Sequence, residues 1–241
     1  MGLLAKRRES RAKLLHARSR VAELLPLCEQ TIGITLKKPF SIERSSRMKH
    51  AFRYAMGKLR AWVRSSKCDT RYLASKELSK KLRGYFDTKR RIFGVNLGLY
   101  TPGHAMSEYT IIHEIMHALF DQYAVSSGIY KDLGPDTIRL LGEGAATYYG
   151  DIVAGIVVPG FDILSNPSLD SIYSDGHEFF RSIAAMMGDP LVLLKDDPPR
   201  EWWTDDNGGR WDTEVRNTNA YVERLRGEHP LKSRRPSSEH P

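Results

Sequence analysis

The clearest hydrophobic pattern lies in the second half of the chain, where apolar residues recur at helical spacing. Three such stretches predict long helices at 107–125, 136–154 and 168–187. The residues just before the first of them, 92–100, instead alternate apolar and polar positions, which predicts a strand. A strand followed closely by apolar helices is the setting in which a buried site can be built.

The N-terminal part of the chain shows weaker patterns of the same two kinds. Helical spacing predicts helices at 3–25, 46–64 and 70–83, the first ending near Pro26. Alternating apolar residues predict a short strand at 30–37. This part therefore adds helices and one strand to the later elements.

These elements together predict an α+β fold, mainly helical, with a small sheet. We expect a basic, mostly helical N-terminal segment at 1–90 that packs on a catalytic core at 91–227. Within that core, 212–226 is predicted to form a last helix after a loop-like stretch. The polar, proline-rich tail at 228–241 is expected to be disordered.

Composition narrows the class of protein. An apolar content of 41% is sufficient for a core, and no apolar run approaches the roughly 18 residues of a membrane span. The start of the chain is basic and lacks the apolar stretch of a secretory signal. The two cysteines, Cys28 and Cys68, are too few for a disulfide framework or a cysteine metal site. We therefore expect a cytoplasmic protein with reduced thiols.

Charge is distributed unevenly along the chain. Residues 1–91 hold 25 Lys and Arg against 7 Asp and Glu, whereas 92–241 hold 12 against 22. This asymmetry is typical of a basic segment that binds nucleic acid. It is equally explained by a basic segment that docks on an acidic body, and we favour that interpretation because no nucleic-acid-binding module is recognisable.

The most specific motif is His113-Glu114-Ile115-Met116-His117, which reads H-E-x-x-H inside the first long apolar helix. Two histidines at i and i+4 lie on one helix face, so both imidazoles can reach one metal ion. The glutamate between them is placed to act on a metal-bound water. The motif predicts a zinc site with His113 and His117 as ligands and Glu114 as general base.

A catalytic zinc needs a third protein ligand and an open fourth position. Glu143 is our first candidate because it lies in a small, apolar helical segment, where an unpaired carboxylate is costly to bury. Asp121 is the alternative, since it follows His117 by four residues on the same helix face. If Glu143 is the ligand, Asp121 becomes a partner for a histidine N–H.

The combination of His113-Glu114-x-x-His117 with Glu143-Gly144-x-Ala146 resembles the gluzincin zinc metallopeptidases, a family that includes thermolysin. A later segment that begins Tyr173-Ser174-Asp175-Gly176-His177 resembles the helix that follows the third ligand in these enzymes. The resemblance spans roughly residues 90–190 and rests on the motif and this spacing. Thermolysin has an aspartate four residues after its third ligand, whereas this chain has Thr147.

The resemblance implies a zincin-like core that hydrolyses peptide bonds, with a peptide or protein as substrate and Zn²⁺ as cofactor. It implies that Tyr173 and His177 donate hydrogen bonds to the tetrahedral oxyanion. It also implies that the strand at 92–100 is a sheet edge with which the substrate pairs, although its sequence equally suits an interior strand.

Two other functions remain open from the sequence. The chain could be an inactive member of the fold that serves as a binding module. It could instead be a polyanion-binding or nucleic-acid-binding protein whose zinc is structural. Nothing in the sequence predicts the oligomeric state or which peptide bond is cut.

Overall fold

The structure, a computed structural model, describes residues 3–45, 83–128, 135–165 and 171–191. Several predictions lie outside these residues: the helices at 46–64 and 212–226, nearly all of the helix at 70–83, Cys68 and the disordered tail at 228–241.

The described residues form four helices and three strands, so the expected α+β class with mainly helical content is confirmed at this level. The elements are α1 (Leu3–Ile32), β1 (Ser41–Arg44), β2 (Gly84–Asp87), β3 (Ile92–Val95), α2 (Ala105–Ser127), α3 (Pro135–Val157) and α4 (Ser171–Met187). The three long helices after the sheet match the three predicted from apolar periodicity, with ends that shift by up to three residues.

The three strands make one mixed sheet in the order β1-β3-β2. β1 runs parallel to β3, with Ser41 opposite Ile92, and β2 runs antiparallel to β3, with Gly84 opposite Val95. The ring of Tyr85 covers Gly94, where an added Cβ would come within 1.9 Å of Tyr85 Cε1. Gly94 is therefore required by cross-strand packing.

The strand predicted at 92–100 is shorter than expected and lies in the interior of the sheet. β3 ends at Val95 and is flanked by β1 and β2, so it is the central strand of the described sheet. The expectation that it forms the substrate-binding edge is wrong. Its consecutive buried residues Phe93, Gly94 and Val95 show in addition that both faces of the strand are covered.

The first helix continues beyond its predicted end. α1 includes Pro26 and ends at Ile32, although a proline inside a helix costs about 3 kcal/mol. From Ala17 onward one stripe of α1 is buried, and its last members, Cys28 and Ile32, lie after the proline. Burial of such side chains is worth about 1.5–3 kcal/mol each, which offsets the cost of the proline.

No strand forms at 30–37, so that prediction is wrong. The helix occupies the first residues of the range, and the backbone N–H groups that follow bond to side chains instead of a neighbouring strand. Leu36 N donates to Glu29 Oε1 at 2.7 Å, and Lys37 N donates to Gln122 Oε1 at 2.8 Å.

An ion pair with one buried partner joins α1 to the start of α2. Arg20 donates through Nε and Nη2 to Glu108 Oε2, at 2.9 and 2.8 Å, and the Glu108 side chain is only 7% exposed. The hydrogen bond to Glu108 raises the pKa of Arg20. The carboxylate of Glu108 is thus paired with Arg20. The N-terminus of α2 is capped by His104, whose Nδ1 accepts a hydrogen bond from Met106 N at 3.2 Å.

The chain divides into two compact units. One contains residues up to Gln122 together with Tyr149–Ile163, and the other contains Tyr123–Tyr148 and the residues from Leu164 onward. Within the first unit, α1 contacts β1, and the sheet and much of α2 supply buried side chains. Within the part of the chain that the structure describes, each helix is too short or too polar to cross a membrane.

Candidate metal centre

Four polar side chains follow one face of α2 at intervals of four residues: Tyr109, His113, His117 and Asp121. Residues four apart on a helix are neighbours on its surface, about 5–6 Å apart at Cβ. His113 and His117 occupy the middle of this stripe, and His113 is 7% exposed. The helix therefore presents two adjacent imidazoles from a largely buried face.

The two imidazoles converge through the same ring nitrogen. His113 Nε2 lies 3.1 Å from His117 Nε2, and the two rings are perpendicular with centroids 4.6 Å apart. Two nitrogens bound to one zinc at about 2.0–2.1 Å with tetrahedral angles would be about 3.3 Å apart. The observed separation is close to that value.

Glu143 on α3 completes a group of three potential ligands. One carboxylate oxygen of Glu143 and one nitrogen each of His113 and His117 all lie within 4.8 Å of one another. Glu143 is partly buried, as is His117. Two imidazoles and one carboxylate form a donor set that is found in catalytic zinc sites, and such a set leaves a fourth position open. These three residues can hold a metal ion.

Asp121, the alternative third ligand, is not part of this group. It lies one turn beyond His117 and is half-buried. Burial raises the pKa of Asp121, while the charges of Arg91 and His117 act in the opposite direction. Asp121 therefore lies near enough to His117 for their charges to interact. Its role as a partner of a ligand stays a prediction.

Tyr109 was missed by the sequence analysis. Its hydroxyl oxygen lies 3.4 Å from Nδ1 of His113, and its ring packs against Phe161 with centroids 5.2 Å apart. An imidazole whose Nε2 lone pair binds a metal carries its proton on Nδ1, and that N–H needs an acceptor. Tyr109 precedes His113 by four residues, so the spacing used for the histidines would have revealed it.

Glu114 lies on a neighbouring face of α2, directed toward the sheet. It is 5% exposed. A Cβ added to Gly84 would lie 3.1 Å from Glu114 Oε1 and 2.9 Å from the Thr110 methyl group. The first residue of β2 therefore approaches the Glu114 carboxylate closely, and a glycine is needed at that position. The acid is thus held between α2 and the sheet, one residue from His113.

α3 approaches α2 through Gly150. A Cβ at this position would lie 3.8 Å from the Cα of His113 and 3.7 Å from the Tyr109 ring. Glu143 precedes Gly150 by seven residues, close to two helical turns, and so lies on the same face of α3. Distances of this size are ordinary van der Waals contacts, so α3 packs against the ligand helix at Gly150.

A second glycine contact joins α3 to α4. A Cβ on Gly144 would lie 2.7 Å from Gly176 O, and a Cβ on Gly176 would lie 2.5 Å from Gly144 Cα. The two backbones are therefore in direct contact. Gly144 thus packs against α4. This crossing sets His177 beside α3, because His177 follows Gly176 directly.

Replacing Gly176 with alanine is expected to destabilise the protein by about 1–3 kcal/mol, because the added methyl group has to displace the α3 backbone. Urea denaturation measures the change in the free energy of unfolding. Gly155→Ala is the matched control, since nothing lies within 4 Å of a Cβ at that helical position. The control should be neutral or stabilise by up to about 1 kcal/mol. Equal stability of the two variants would contradict the close crossing.

The predicted oxyanion donors both lie on α4. Tyr173 is partly buried, and His177 is 6% exposed with its ring 5.6 Å from that of Tyr148. Tyr148 also stacks on Phe180, and burial raises its pKa, with a smaller contribution from the charge of Asp189. The role of Tyr173 and His177 in stabilising an oxyanion stays a prediction.

Comparison of the chain with protein-family models, curated proteins and solved structures gave no significant match.

Proposed function

We propose that this protein is a zinc-dependent metallopeptidase with a zincin-like core of the gluzincin type. The observation that carries the proposal is the group formed by His113, His117 and Glu143, whose ligand atoms lie within 4.8 Å of one another. Glu114 adds an acid–base residue that lies between two of the three ligands in the sequence. A purely structural zinc site has no need of such a residue and is closed by four protein ligands.

Zinc is the metal that best suits this donor set. Imidazole nitrogens and one carboxylate bind Zn²⁺ readily, whereas Ca²⁺ and Mg²⁺ prefer sets made of oxygen atoms. When bound, zinc lowers the pKa of a coordinated water to near neutrality and polarises the carbonyl of the peptide bond. His113, His117 and Glu143 would hold the ion, and the Tyr109 hydroxyl oxygen would accept a hydrogen bond from Nδ1–H of His113.

Glu114 is the general base and then the general acid of the proposed reaction. Its carboxylate oxygen accepts a proton from the attacking water and delivers that proton to the amine that leaves. Burial of Glu114 at 5% exposure excludes most bulk water from the carboxylate. The neighbouring Gly84 backbone restricts the positions that the carboxylate can adopt, which favours a fixed geometry for proton transfer.

Tyr173 and His177 are the proposed hydrogen-bond donors to the oxyanion that forms on the carbonyl carbon. The contact between Gly144 and Gly176 supports this role, because it holds α4 against the part of α3 that carries Glu143. Thr147 occupies the position at which thermolysin has an aspartate, and it is fully buried here. Tyr109 and Asp121 would instead support the ligands.

Removal of metal is expected to abolish peptide hydrolysis, and one equivalent of Zn²⁺ should restore it. The protein would be treated with a chelator, dialysed and assayed with a peptide library whose products are identified by mass spectrometry. Mg²⁺ added to the metal-free protein is the matched control and should restore nothing, because it prefers octahedral oxygen coordination. A protein that holds about one zinc yet cuts no peptide would favour the inactive binding module.

A further inference from the structure

Four exposed cations meet at one end of the sheet, and we call them the basic cluster: Lys37, Lys38, Lys89 and Arg90. Lys37 and Lys38 lie in the loop before β1, and Lys89 and Arg90 lie in the turn between β2 and β3. The parallel pairing of β1 with β3 brings the loop and the turn together. Among the described residues, none of the four side chains forms an ion pair.

Arg91 fastens the turn to the loop. Its guanidinium donates through Nε to Pro39 O at 3.2 Å and through Nη2 to Lys38 O, and it lies 5.8 Å from the centre of the Phe86 ring. Its backbone is left-handed, with φ at 53°, a conformation that costs a non-glycine residue roughly 1–2 kcal/mol. The contacts of Arg91 hold this strained turn in place, so the backbone that carries the cluster is held against the loop.

Gln122 fastens the same loop to α2. Its Oε1 accepts from Lys37 N at 2.8 Å and Lys38 N at 3.2 Å, and its Nε2 donates to Thr35 O at 3.0 Å. Gln122 follows His117 by five residues, which is about 7.5 Å along a helix axis. The basic cluster is therefore anchored at a short, fixed distance from a metal ligand.

β2 leads from the general base to the basic cluster. It begins at Gly84, beside Glu114, and the turn after Asp87 carries Lys89 and Arg90. The four steps along the chain from Gly84 to Thr88 span about 13 Å at 3.3 Å per residue. β2 lies at one edge of the described sheet and pairs there only with β3. An extended peptide with one bond at Glu114 would thus reach the cluster after about four residues.

We propose that the basic cluster selects peptides with acidic side chains about three to five residues from the bond that is cut. This inference rests on the proposed peptidase function. Cations outnumber the neighbouring carboxylates, Asp87 and Asp121, so the site attracts negative charge. Acidic side chains in an extended peptide match a cluster at the end of a strand, and their separation from the scissile bond follows from the length of β2.

Binding can be tested separately from hydrolysis with the full-length Glu114→Gln protein, which should leave peptides intact. Two fluorescein-labelled peptides of twelve residues would be compared by anisotropy, one with four glutamates and the other with glutamines at the same positions. The glutamate peptide should bind about five- to tenfold more tightly at low salt, since each exposed ion pair adds a small increment. Adding Lys89→Ala and Arg90→Ala should remove most of this difference.

The matched control is the pair Lys6→Ala and Arg7→Ala, which removes two exposed cations from α1 and should preserve the preference. If both double variants lose the preference for the glutamate peptide to the same extent, the attraction is nonspecific and the inference is overturned. If a single-stranded DNA of twelve nucleotides binds more tightly than the glutamate peptide, and this binding is lost when Lys89 and Arg90 are replaced, the inference is overturned in favour of a nucleic-acid ligand. If the glutamate preference depends on Lys89 and Arg90 yet wild type cuts no peptide, the proposed function fails while the cluster's ligand chemistry stands.

Discussion

Glu114→Gln is expected to lower kcat/KM for peptide hydrolysis by about 10²- to 10⁴-fold, the range attributed to a positioned general acid–base group. Glutamine has nearly the same size and retains one oxygen, so the close approach of Gly84 and Thr110 is preserved. It cannot accept and return a proton. Because Glu114 is not among the three ligands, the variant should still bind about one zinc per chain.

Glu108→Gln is the matched control for this substitution. Glu108 lies on the same helix and is 5% exposed, as is Glu114, but its carboxylate bonds to Arg20. The control should lose stability by about 1–3 kcal/mol, because the hydrogen bonds of Arg20 lose their charged acceptor while Arg20 keeps its ion pair with Glu23. Folded Glu108→Gln protein should retain its kcat/KM. A similar loss of kcat/KM in Glu114→Gln and Glu108→Gln would mean that Glu114 has a structural role and not a catalytic one.

The ligand helix was predictable because its signals are local. The spacing of His113 and His117 requires a helix, and the apolar residues around them independently predict one. Glu143 was predictable for a different reason, since a carboxylate in a small, apolar segment needs a compensating partner. Both arguments depend on residues that are close together in the sequence.

The sheet was harder to predict because its order depends on pairing between distant residues. β1 and β2 have four residues each, and β1 is mostly exposed, so neither shows a clear alternating pattern. The sequence of β3 suits an edge or an interior strand, and only its two partners decide between them. Pro26 stays inside α1 because burial beyond it outweighs a local preference.

The supporting parts of the site were missed for related reasons. Tyr109 has helical spacing to His113, but its role depends on which nitrogen faces the metal. The contact of Gly144 with Gly176 joins two helices, and a glycine in the sequence does not reveal which backbone approaches it. The basic cluster joins two segments about 50 residues apart, which meet because β1 pairs with β3.

Replacing Glu143 with alanine is expected to reduce bound zinc from about one equivalent to a small fraction, and His113→Ala and His117→Ala should do the same. Each change leaves two of the three ligands whose atoms lie within 4.8 Å of one another. The loss of affinity should exceed the roughly 10- to 100-fold cost of losing a residue that only supports a ligand. Metal content after dialysis and competition with a chromophoric chelator would measure it.

Asp121→Ala separates the two candidate third ligands. Asp121 lies outside the ligand group and interacts with His117, so its loss should weaken zinc binding by only about 10- to 100-fold and leave the stoichiometry near one. Thermal stabilisation by zinc gives a second measurement, because a ligand at 100 times its Kd adds about 2.7 kcal/mol to the free energy of unfolding. At high zinc concentration, wild type and Asp121→Ala should both show this thermal stabilisation, and Glu143→Ala should not. If Glu143→Ala keeps full zinc while Asp121→Ala loses it, the third ligand is Asp121, because only a residue bound to the ion controls stoichiometry in this way.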